Sequence, residues 1–345
     1  MLYLSTTQGI VRIDPETGQV ARLGPDGVST EALAVAGDVI LAAVTPDYGL
    51  PMRQPLRPAG RRGMLRSADG GRTWSPVAGP LAGQQITALA AASAGTATAP
   101  RCLAGTDPAE LFVSTDGGVS WEQGQSLREM PGYERWSYPL PPHTPHVMAI
   151  VPHPVEPDVI YAGIEVGGIV RTRDGGRTWQ VIGDRPGAAV HPDIHGLAIC
   201  PAAPSVIYAA TPQGVYYSSD GGERWERRID GLDPLYCRPI VTHQEEPDVA
   251  VVVVTHGASG FFGIAPERTG GAVFRTEDAG RTWSPVSRGL PAVLQPTPAI
   301  APDPRRPGRF YLPLFSGDVY VTDDGGATWQ ELARGLPPIL RAVTA

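Results

Sequence analysis

Lysine and asparagine occur nowhere in the 345 residues, so all 28 basic side chains are arginine. Without lysine there is no Schiff-base chemistry and no phosphate-loop lysine, and without asparagine no N-glycosylation. Cysteine is scarce. The three present, Cys102, Cys200 and Cys237, have neither the paired spacing of a secreted disulfide framework nor that of a cysteine-based zinc site. No apolar run approaches the ~20 residues that span a bilayer, so no membrane partner is expected. The start, Met1-Leu2-Tyr3-Leu4-Ser5-Thr6-Thr7, has no basic segment, long apolar stretch or cleavage signal. No signal peptide is therefore expected, and the expected location is the cytoplasm. A net charge of −7, with no basic cluster beyond Arg61-Arg62 and Arg305-Arg306, argues against a nucleic-acid partner.

Glycine and proline are plentiful instead, at 42 and 37 residues, which suits a chain rich in turns. The chain also repeats itself. Ser67-Ala-Asp-Gly-Gly-Arg-Thr-Trp74 recurs as Ser114 to Trp121, Thr172 to Trp179, Ser218 to Trp225, Thr276 to Trp283 and Thr322 to Trp329. The aspartates fall at 69, 116, 174, 220, 278 and 324, and the shortest spacing, 46 residues, is the length of one four-stranded propeller blade. The carboxylate can accept hydrogen bonds from its own turn, the glycines supply positive φ, and the tryptophan can pack between blades. These boxes are staples of the fold, not candidate acids.

The string resembles the Asp-box (BNR) repeat of sialidases, Vps10-type receptors, xyloglucanases and the propeller assembly factors of photosystem II. The resemblance spans nearly the whole chain and implies an all-β, single seven-bladed β-propeller over residues 1–345. It implies no particular activity, because this architecture hosts unrelated functions. Four strands per blade are expected, in the fourth blade Val147–Val151, Val159–Ile164, Gly168–Thr172 and Thr178–Ile182. The segment from Leu2 reads like a second strand, and its missing inner partner is Leu340-Arg-Ala-Val-Thr344. The two ends should thus share the first blade, a clasp that removes open sheet edges.

Function has to be read where the blades differ. All seven histidines lie between residues 143 and 256. Aligning the blades places Glu31, Gln85, His146, His195, Tyr236, Pro296 and Ile339 at the start of the innermost strand, with Thr87, Arg238 and Arg341 two residues on. The second strand ends in Thr7, Thr45, Asp107, Glu165, Pro212, His256 and Phe315. Both positions open on the face opposite the Asp boxes, at the mouth of the central channel. His153 and His243 belong on the Asp-box face. Insertions at 46–63, 125–144 and 257–271 (with Phe261-Phe262-Gly263) also rise from the mouth, and Trp136 is the only tryptophan outside a box.

The leading expectation is an enzyme acting on a small molecule at this mouth. His146, Glu165, His195 and His256 would hold a divalent metal, zinc or iron, for hydrolysis, elimination or oxidation. Tyr236 would move a proton, Arg238 would hold an anionic group, and Asp107 would complete the catalytic set. Glu31, Gln85, Trp136, His143, His191 and Arg341 are candidate substrate contacts, and Asp193 could orient an imidazole. Metal-free acid–base chemistry with His146 or His195 beside Glu165, a hydrated polar channel, and a non-catalytic assembly propeller are the alternatives. The Arg-Ile-Pro element of sialidases is missing, but carboxylates such as Asp107 and Glu165 leave a generic glycosidase open. Oligomeric state is not legible.

Overall fold

The computed structural model describes residues 1–44, 62–92, 99–139, 142–257, 271–292, 294, 297 and 299–345. Thr45, Pro296 and most of the insertions at 46–63 and 257–271, including Phe261 to Gly263, lie outside the described residues. Seven four-stranded antiparallel sheets make a seven-bladed β-propeller. In blade 4 the strands are His146–Pro152, Ile160–Glu165, Gly168–Thr172 and Gln180–Ile182, close to the expected ones.

Each blade is buried on both faces, so its second strand reads as a continuous apolar run with split duties. In Ala250–Thr255, Ala250, Val252 and Val254 pack toward blade 5, while Val251 and Val253 pack toward blade 7. The same period of two gives seven apolar clusters, one per interface between neighbouring blades.

All six Asp boxes fold as staples. In blade 4, Asp174 accepts from the backbone N–H of Arg177 (3.0 Å) and Thr178 (2.9 Å), and from the hydroxyls of Thr172 (2.7 Å) and Thr178 (2.7 Å). Arginine extends the stapling between blades, with its fork reaching the next box's glycine carbonyl. Arg66 Nε donates to Gly117 (2.7 Å), Arg171 Nη1 to Gly221 (3.1 Å) and Arg275 Nε to Gly325 (2.9 Å). His153 and His243 lie on this face as expected. Each Nδ1 accepts from the backbone N–H two and three residues on, capping a turn.

The clasp is formed. Leu2–Thr6 pairs antiparallel with Ile339–Thr344, and the Met1 amino group donates to the Ala345 carbonyl at 2.9 Å.

Candidate functional site

The mouth is built from strand ends, and the registers place its side chains. His146 is paired with Glu165, Gln85 with Asp107 and Tyr236 with Thr255, so polar residues meet across the first hairpin of three blades. Just below, the inner strand bulges between Ile86 and Ala88, between Val147 and Ala149 and between Cys237 and Ile240. A bulge re-aims side chains. Thr87 and Arg238, at the bulged positions, line an axial cavity of about 250 Å³ together with His195 and Arg341.

Glu165 is the hub. It is 5% exposed, with His146 Nε2 at 3.2 Å, His195 Nε2 at 3.7 Å and Arg238 Nη2 at 3.8 Å. Burial opposes its charge, but the contact with His146 and the charges of Arg238 and His146 prevail and hold its pKa below the usual carboxylate range. Burial likewise disfavours protonated His146, yet the contact and charge of Glu165, backed by Asp107 and Glu31, raise its pKa.

His195 is turned by its other nitrogen. Nδ1 lies 2.7 Å from the Cys237 carbonyl, which can only accept, so Nδ1 carries the proton. Nε2 faces Asp193 Oδ1 at 3.3 Å as well as Glu165. Among the described residues, neither His195 Nε2 nor Asp193 Oδ1 has a hydrogen-bond partner. Glu165, Asp193 and His195 are also the one set of three imidazole, carboxylate or thiol groups there whose donor atoms all lie within 4.8 Å of one another. The loop carrying Asp193 is pinned to blade 4 because Gly167 and Gly168 both donate to the Pro192 carbonyl, at 3.0 and 2.7 Å. Gly163 lets it approach: a Cβ there would lie 2.5 Å from Ile194 Cγ2.

Tyr236 and Arg238 join the cluster. The tyrosine ring lies 4.8 Å from that of His195, and Arg238 Nη2 donates to its hydroxyl at 3.3 Å. Asp107 accepts from Thr144 at 2.7 Å. Glu31 and Gln85 sit on neighbouring inner strands. His256 is exposed and outside the set that closes on Glu165, whereas Asp193 is inside it. His143 is exposed and bonds the Tyr138 carbonyl at 2.9 Å; His191 Nδ1 accepts from Asp193 N at 3.1 Å, shaping the loop. Trp136 packs against the apolar cluster between blades 3 and 4, anchoring its loop.

Tyr138 escaped the sequence reading. Its ring meets the His146 ring edge-on at 4.8 Å, and burial, with the Glu165 charge, pushes its hydroxyl up to about 12. Its only sequence signal was a place in the aromatic stretch Tyr133 to Tyr138.

A family model described as "BNR/Asp-box repeat" matches residues 320–331, the last of the six boxes. The chain is a seven-bladed propeller that carries six boxes of this kind. It is 24% identical over 209 residues to a xyloglucanase from Paenibacillus sp., a match covering 51% of the chain and 20% of that protein. It superposes on the GH74 xyloglucanase from Xanthomonas campestris with a TM-score of 0.70 at 16% identity, covering 97% of the chain and 52% of the enzyme. It also superposes on YCF48 bound to D1 peptide, with a TM-score of 0.53 at 16% identity, covering 89% and 83%. The chain thus spans about half the length of the solved xyloglucanase, and these structural likenesses establish its fold.

Proposed function

We propose that the chain is a hydrolase of glycosides, acting on a small carbohydrate-bearing molecule at the mouth of the axial channel. The observation that carries this reading is the convergence of Glu165, Asp193 and His195 on one point, within 4.8 Å, in a propeller whose sequence relatives include a xyloglucanase. The separation of the two carboxylates decides where water sits. It is shorter than the ~6.5–9.5 Å that lets the acid and base of inverting glycosidases straddle a water. With Tyr236 as the acid here, the two carboxylates need not straddle the bond, and the attacking water approaches from beside the pair. The Asp193 carboxylate takes the proton of that water. Its oxygen bonds to the sugar carbon as the glycosidic C–O bond breaks, and the Tyr236 hydroxyl protonates the departing oxygen. Arg238 orients polar substituents, and His146 holds Glu165 in place. The three cysteines are buried and unpaired, which suits a reducing, cytoplasmic setting.

The test is turnover of a panel of aryl glycosides and xyloglucan oligosaccharides by the wild type and by Asp193→Asn. General-base loss costs ~10²–10⁴-fold in rate, so kcat/KM should fall by that factor at an unchanged melting temperature. Absence of glycoside turnover in the wild type, or full activity in the variant, would sink the reading. One observation favours a second reading, a peptide-binding propeller: the YCF48 match covers 83% of that chain, against 52% of the xyloglucanase.

A further inference from the structure

The centre built from Glu165, Asp193 and His195 presents three lone pairs to a common point. With its proton on Nδ1, held by the Cys237 carbonyl at 2.7 Å, a neutral His195 offers the Nε2 lone pair. That nitrogen has no side-chain exposure and faces two carboxylate oxygens, at 3.3 and 3.7 Å. Lone pairs this close repel unless a cation or a proton sits among them. The two distances from Nε2 are close to those around a metal ion, since donors each ~2.1 Å from a tetrahedral centre are ~3.4 Å apart. We propose that Glu165, Asp193 and His195 bind one divalent first-row metal ion, of the zinc, iron(II) or manganese type that mixed imidazole–carboxylate sites select.

The surroundings fit that role. His146 occupies the other oxygen of Glu165 at 3.2 Å, and the Cys237 carbonyl fixes the His195 ring, the kind of outer contact that orients metal ligands. The loop of Asp193 is held by two backbone hydrogen bonds to Pro192, so the third donor is set in advance. Three protein ligands leave coordination positions for water, and such an ion would lower the pKa of a bound water and make it the attacking group. The inference uses the same centre as the hydrolase reading but does not depend on its substrate.

The experiment starts from the purified full chain, stripped with chelator and titrated with Zn²⁺ and Mn²⁺ by calorimetry. His195 is followed by ¹⁵N NMR. The expected result is one ion per chain, with His195 Nε2 moving from an unprotonated to a coordinated chemical shift. Asp193→Asn should weaken binding at least ~10-fold, while His256→Ala should leave it unchanged. A rise in wild-type melting temperature on adding Mn²⁺ reports binding even if a variant folds poorly. If the wild type binds neither ion at millimolar concentration and NMR shows His195 protonated on both nitrogens, the metal site is overturned. Glycoside turnover by chelated, metal-free protein would overturn the ion's role and spare the hydrolase reading. Stoichiometric metal without glycoside turnover would do the reverse.

Discussion

On one face of the ring Asp174 accepts four hydrogen bonds from its own turn; on the other Glu165 is surrounded by side chains from three different blades. Both carboxylates are held ionised, but the sources differ. Local hydroxyls and N–H groups satisfy Asp174 wherever its turn forms; the boxes of Asp69 and Asp116 repeat all four bonds, and those of Asp220, Asp278 and Asp324 keep three. Glu165 depends on long-range partners that, among the described residues, no other blade duplicates. A site whose partners come from its own turn reports folding. A site whose partners come from neighbouring blades, with buried acceptors left over, reports chemistry.

Glu165→Ala should widen the contrast most. It strips the counter-charge from buried Arg238 and His146, and breaking a buried ion pair costs ~3–5 kcal/mol. Urea unfolding should show a loss near the lower end, because His146 can release its proton. A change below ~1 kcal/mol would mean that the mouth is solvated and not a packed electrostatic unit.

Acid should separate the faces next. Asp116 and Asp174 titrate at about 2 in the fold, against an ordinary value near 3.8; burial opposes the shift and hydrogen bonds from their own turns overcome it. A depressed folded pKa stabilises fully above the ordinary value and is lost as pH falls through the folded one. Melting temperature should therefore hold steady from pH 6 to 4 and decline between about 4 and 2. The boxes are partly exposed, so solvent and salt screen each contribution. A flat profile down to pH 2 would remove the boxes from the stability of the ring.

The smallest effect sharpens the comparison within the Asp-box face. Box five carries Ala279 where the others have glycine, and Ala279 sits at φ 60°. Left-handed backbone costs a residue with a Cβ ~1–2 kcal/mol, part of which glycine's greater unfolded-state freedom returns. Ala279→Gly should stabilise by up to ~1 kcal/mol in thermal melts; destabilisation would show that the buried methyl matters more.

The sequence made the propeller legible because its determinants are local and repeated: six boxes, alternating second strands, and an inner strand recognisable at the far end of the chain. Aligning blades also placed His146 opposite Glu165 and aimed Thr87, Arg238 and Arg341 at the channel, because those positions lie inside paired strands. Alignment lost its power in the connections. Asp193 and Tyr138 sit in loops whose paths are set by contacts to Gly167, Gly168 and His146, which the repeat does not encode. His256, one residue past the strand end at Thr255, shows the same limit from the other side. A residue type at the right repeat position does not converge once the strand has ended.

The clasp has a consequence during synthesis. Ile339–Thr344 leaves the ribosome after the ring's other described strands, yet it is the partner that Leu2–Thr6 needs on its inner side. Until then the nascent chain presents that inner edge of its first strand, a template for pairing with another copy.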